Sequence, residues 1–206
     1  ESESVSVSLP YLKPSHFQLT NYRGENVLHH AVKQKNETML ELLMKSPHLT
    51  PEMWRQSDVE GMIPLLGLMK NFPQTFGQIY RVEDSVLRLS SGKSLLMEIV
   101  ETETELAEQL VQAVGLQDGD FEFRDSEART LIFYSVQHSE LITQILLDDS
   151  RTTPRFLIGA TTDHLTSLDL AAQTSLPMFR KMMESRFSMK QMMSTGIGRW
   201  NFLLLA

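Results

Sequence analysis

Apolar residues recur at three- and four-residue spacing in five stretches, "TMLELLMKS", "QTFGQIYRV", "ETELAEQLVQAV", "ELITQILLDD" and "LPMFRKMMESRF". In the third, Leu106, Leu110 and Val114 share one side of a helix, so each stretch is expected to bury one face and leave the other to solvent. Period-two alternation hardly extends beyond the first few residues, which leaves strands without support. The pattern predicts an all-α chain in which each of these helices follows a shorter apolar segment across a polar corner.

The pairs recur along the sequence. The unit "NYRGENVLHHAVKQKNETMLELLM" is followed by others containing "DVEGMIPLLGLM", "SSGKSLLMEIV", "DSEARTLIFYSV", "TTDHLTSLDLAA" and "TGIGRWNFLLLA". Their central apolar residues, Leu28, Leu65, Leu96, Ile132, Leu168 and Phe202, are separated by 37, 31, 36, 36 and 34 positions. A period near this length marks a repeat array.

The first unit resembles the ankyrin repeat, a turn followed by T-P-L-H-x-A and a second helix ending in paired leucines. Asn21 and Gly24 stand at the turn, Asn26, Val27, Leu28, His29 and Ala31 in the T-P-L-H-x-A positions, and Met39, Leu40, Leu43 and Met44 along the second helix. Later units keep Gly61, Pro64 and Leu65; Gly92, Leu96 and Ile99; Asp125, Thr130, Ile132 and Ser135; Thr166, Leu168 and Ala171; and Gly198 with Phe202. The resemblance covers residues 21–206 and implies an ankyrin-like helical-repeat solenoid of about five to six degenerate repeats, the last incomplete. Residues 1–20 lie outside it; 1–8 are expected to be disordered, and "LPYLKPSHFQL" to cap the first unit. "TPEMW", "TPRFL" and "SMKQM" each precede a unit by 14 or 15 residues and begin with a helix-capping residue, which predicts an extra helical turn in some inter-repeat loops.

What the resemblance implies about function is a protein-interaction module that binds through its concave face and loop tips. The matching positions are Tyr22, Arg23, Glu25, Lys33 and Gln34 in the first unit, Val59, Glu60, Met62, Lys70 and Asn71 in the second, and Glu127, Arg129, Gln137 and His138 in the fourth. Tyr22 and Arg23 are the expected anchors, because aromatic and arginine side chains dominate interface energetics.

Charge narrows the partners. The net charge is −7, which argues against nucleic acid. It is uneven: residues 1–150 carry 12 Lys/Arg against 23 Asp/Glu, whereas residues 151–206 carry 7 against 3. In an elongated array the basic end, with Arg180, Lys181, Arg186, Lys190 and Arg199, would attract an acidic segment. No cysteine is present, no apolar run reaches membrane-spanning length and the first residues lack signal-peptide character, so an intracellular protein, cytoplasmic or nuclear, is expected.

Candidate chemistry is sparse. His29 and His30 are adjacent on a helix and diverge by about 100°, unsuited to one metal; in the ankyrin register His29 is a structural hydrogen-bonder to a neighbouring loop. Gly92-Lys93-Ser94 ends like a phosphate loop, but the required earlier glycine is Leu87. Gly196 and Gly198 lack the third glycine of a dinucleotide loop, and the sequon at Asn36 is expected to be unmodified. Met182, Met183, Met189, Met192 and Met193 suit a core more than a binding surface, with some exposed. No catalytic set, metal site or cofactor is expected. The alternatives are a self-associating or spacer domain stacking through the repeat ends and, more remotely, an enzyme on a helical scaffold.

Overall fold

The computed structural model describes residues 14–185, and every regular element among them is helical. One isolated antiparallel bridge joins Arg88 and Ser94. The chain divides between Tyr80 and Arg81 into two compact units.

The first unit contains α1 (Pro14–Phe17), α2 (Val27–Lys33), α3 (Glu37–Met44), a 3-10 turn (Pro51–Trp54), α4 (Pro64–Asn71) and α5 (Pro73–Ile79). The pairs α2/α3 and α4/α5 are the first two repeats. Asn26 starts α2, its side-chain oxygen accepting from the Leu28 and His29 amides at 3.0 and 3.1 Å. Pro64 starts α4 with a residue that has no amide to leave unpaired. Leu28, Ala31, Leu40, Leu43, Leu65, Leu68 and Phe76 form the buried core. The inner helices α2 and α4 approach so closely at Gly67 that a Cβ there would stand 2.7 Å from Val32 Cγ1. Asn71 ties the ends of the two helices, donating to the Val32 carbonyl at 3.2 Å. Phe17 is buried, its ring edge-on to His48 at 5.9 Å.

The second unit contains a 3-10 turn (Val82–Val86), α6 (Leu95–Thr102), α7 (Thr104–Val114), α8 (Asp118–Glu122), α9 (Leu131–His138), α10 (Glu140–Asp148), α11 (Pro154–Ile158), α12 (Ser167–Thr174) and α13 (Leu176–Met183). The pairs α6/α7, α9/α10 and α12/α13 are three further repeats, and α9 packs on both α6 and α12. Leu96, Ile99, Val100, Ile132, Leu146, Leu168 and Ala171 are fully buried between them.

All five repeats enter their first helix through the same corner. The first corner residue donates its amide to the carbonyl four positions on, and accepts from the amide three positions on, at Asn21, Asp58, Leu89, Asp125 and Thr161. The fourth corner residue is left-handed in each: Gly24, Gly61 and Gly92, then Ala128 (φ 62) and His164 (φ 63). These corners repeat at the same intervals as the central apolar residues, so one local turn fixes the register of each unit.

The extra turns expected at 50–54 and 153–157 are present as Pro51–Trp54 and α11. Those at 82–86 and 118–122 were not foreseen, because neither begins with Thr-Pro; both are instead held by an acid three residues past the cap. Asp84 Oδ2 accepts the Arg81 amide at 2.9 Å and Asp120 Oδ2 the Gln117 amide at 2.8 Å. Residues 1–8, expected to be disordered, and the expected turn at 188–192, sixth unit and Met189, Met192 and Met193 lie outside the described residues.

Candidate functional site

Between α2 and α4 lies a groove of about 460 Å³, lined in part by the corners of the first two repeats. Its first wall is built around Glu25. This carboxylate is buried, accepts from Lys33 Nζ at 2.9 Å and Asn21 Nδ2 at 2.7 Å, and lies 3.7 Å from His30 Nε2. The hydrogen bonds from Lys33 and Asn21 hold its pKa down to about 2.

His29 sets the spacing of the groove. Its Nδ1 accepts the Asn26 amide at 3.1 Å, which leaves Nε2 to donate to the Met62 carbonyl at 3.1 Å. The imidazole thus joins the start of α2 to the next corner, the structural role expected of it. On the opposite wall Asp58 Oδ1 accepts the Glu60 and Met62 amides at 2.8 and 2.9 Å. Asp58 lines the groove, and its Oδ2 has no donor among the described residues. A second link runs between the corner tips, the Val59 amide donating to the Arg23 carbonyl at 2.9 Å.

Glu25, Lys33, Glu60, Met62, Lys70 and Asn71, all singled out from sequence, line this one groove. Tyr22 (88% exposed) and Val59 (71% exposed) stand on the corners beside it, with the Arg23 guanidinium 5.6 Å from the Tyr22 ring centre. Gln34 is exposed at the end of α2 and does not line the groove. Glu25 departs from the expectation of a contact residue: it is buried and engaged, and what it presents to the groove is the Lys33 ammonium. Asp58 and Gly67 were overlooked. A lone glycine inside the apolar run "PLLGLM" was the available signal for close backbone approach or missing volume.

Glu127, Arg129, Gln137 and His138 belong to the second unit. Arg129 Nε donates to Asp125 Oδ2 at 2.7 Å and its Nη1 pairs with Glu127 at 3.1 Å, while Gln137 and His138 are exposed at the end of α9. Arg180 is exposed, Lys181 pairs with Glu140 at 3.1 Å, and Arg186, Lys190 and Arg199 lie outside the described residues. Gly92-Lys93-Ser94 forms a corner and a cap: Gly92 is left-handed, Ser94 Oγ accepts the Met97 amide at 3.2 Å, and Lys93 is engaged by Glu98 and Glu101.

In the second unit the inner-helix space matching the groove is filled. Tyr134 of α9 occupies the register position that Gly67 occupies in α4, both nine residues past the first corner residue. Its ring is buried, with Lys93 Nζ 5.5 Å and the Arg129 guanidinium 5.2 Å from its centre, and its hydroxyl donates to Asp125 Oδ2 at 2.7 Å. Burial and the adjacent carboxylate push the Tyr134 phenol far above its ordinary pKa. Burial alone would raise Asp125, but hydrogen bonds from Tyr134, Arg129 and the corner amides outweigh it and hold the carboxyl below its usual range.

Among the described residues no cluster of three or more His, Asp or Glu side chains could hold a metal ion, and no helix is long and apolar enough to cross a membrane. No family model matches the sequence, and no curated protein does. The structure is similar to the crystal structure of EF0377, an ankyrin repeat protein, with a TM-score of 0.57 and 14% sequence identity, over 91% of this chain and 99% of that one. Five helix pairs entered through a common left-handed corner, together with this likeness, show that the chain has the fold of a divergent ankyrin-repeat domain.

Proposed function

We propose that the chain is a non-catalytic protein-interaction module, an adaptor or regulatory domain, that receives a protein or peptide segment in the groove between its first two repeats and on the adjoining corners. The observation that carries this reading is the placement of Tyr22, Val59 and Met62, three exposed large apolar side chains, beside or on the groove. Exposed apolar groups grouped against a concavity mark interaction sites, whereas scattered ones are ordinary. The repeat fold supports it, since stacked helix pairs present extended surfaces suited to protein partners.

The test uses proteins captured from a lysate by the full chain and identified by mass spectrometry. Tyr22→Ala and Arg23→Ala should lose the specific partner while leaving the melting temperature within 1–2 °C of the parent, roughly the scale of a neutral surface change. A variant that melts much earlier would place these residues in the fold, and unchanged capture by both would move the docking surface elsewhere.

A further inference from the structure

We infer that the groove between the first two repeats is a socket for a tyrosine side chain presented by the partner, with the phenol hydroxyl donating to Asp58. The inference rests on the docking role proposed above and names what that site recognises.

The protein carries both the empty and the filled form of this socket. Residues 58, 62 and 67 in the second repeat correspond to 125, 129 and 134 in the fourth, a constant offset fixed by the shared corner. The two aspartates are held alike: Asp125 Oδ1 accepts the Glu127 and Arg129 amides at 2.8 Å each, as Asp58 Oδ1 accepts those of Glu60 and Met62. In each residue this leaves Oδ2 as the oxygen not used by the corner amides. At Asp125 this oxygen receives the Tyr134 hydroxyl. At Asp58 it receives nothing from the described residues, because Gly67 contributes no side chain.

The chain cannot fill the space from position 67, since even a Cβ would press on Val32 at 2.7 Å. The ring must therefore come from outside, and 460 Å³ accommodates it. The surroundings suit an aromatic group: Met62 offers a thioether and Lys33 an ammonium, in place of the Arg129 and Lys93 cations around Tyr134. The half-buried Asp58 acceptor separates tyrosine from phenylalanine, which has no hydroxyl to offer it.

The full chain, labelled with ¹⁵N, is titrated with N-acetyl-tyrosinamide and separately with N-acetyl-phenylalaninamide, following the amide signals of Met62, Gly67 and Asn71. The tyrosine probe should shift these signals and bind roughly tenfold more tightly than the phenylalanine probe, the worth of one hydrogen bond to a charged acceptor. Asp58→Asn should abolish that preference and still fold, because Asn21 serves the same corner in the first repeat, accepting the Arg23 and Glu25 amides at 2.9 and 3.0 Å. Equal affinities in the parent chain, shifts confined to other residues, or no shift at the probe's solubility limit overturn the inference. If that happens while partner capture still depends on Tyr22 and Arg23, the docking role stands and only the tyrosine socket falls. If the probe behaves as expected while no capture depends on the corners, the socket stands and the docking role falls.

Discussion

The interface between the first two repeats and that between the third and fourth are built on one register with opposite chemistry. Glu25 and Lys33 in the first repeat correspond to Lys93 and Glu101 in the third, so the ion pair joining corner to inner helix is kept while its polarity is reversed. Opposite the pair, the second repeat offers Met62 and Gly67, where the fourth offers Arg129 and Tyr134. One interface is thereby left open and the other sealed. The corners are hydrogen-bonded alike in both, which places the difference in a few side chains facing across the repeats and in the close approach of α2 and α4 at Gly67.

The largest effect that could break this comparison is expected at the sealed interface. Tyr134→Ala should cost the second unit about 3–5 kcal/mol, the usual penalty for emptying a buried aromatic site, with Tyr134→Phe costing about 1–3 kcal/mol for the hydroxyl bond to Asp125. Urea unfolding measures both, and a loss below about 1 kcal/mol for the alanine variant would mean that the ring does not fill the interface. Next in size is His29→Ala, which leaves the Asn26 amide without a partner, removes one of the two donors to the Met62 carbonyl and should destabilise the first unit by about 1–3 kcal/mol. An unchanged urea midpoint would show that the corner positions itself without the imidazole.

Acid should then distinguish the two polarities. Glu25 is depressed from an ordinary value of 4.5 to about 2, so its contribution is fully present above pH 4.5 and is lost as pH falls toward 2. Glu25→Gln should flatten the melting temperature of the first unit across that window, and an identical acid slope in both proteins would remove Glu25 from the account. The smallest expected change is at a corner. Ala128 holds a left-handed conformation that glycine supplies in the first three repeats, so Ala128→Gly should stabilise the second unit by up to about 1 kcal/mol, read from the midpoint of thermal unfolding. A destabilised variant would show that the alanine methyl makes a compensating contact.

Local chemistry explains why so much of the array was legible. Glycine or a polar residue at the corner, a capping residue or proline at the helix start and apolar residues at helical spacing act within a few positions of one another, so the corners could be counted from the chain alone. Where local signals changed form the reading weakened. The turn at 82–86 and α8 are held by Asp84 and Asp120 rather than by Thr-Pro, and they went unseen.

By itself the sequence determined the helix pairs, their period and the corners that lead into them, because these depend on hydrogen bonds and apolar faces inside each repeat. Tertiary structure alone decided that Glu25 is buried beneath Lys33, that His29 spans to Met62 and that Gly67 leaves open what Tyr134 closes. Most of those outcomes depend on side chains about thirty or more residues apart meeting across a repeat boundary, where packing distance rather than propensity sets the result.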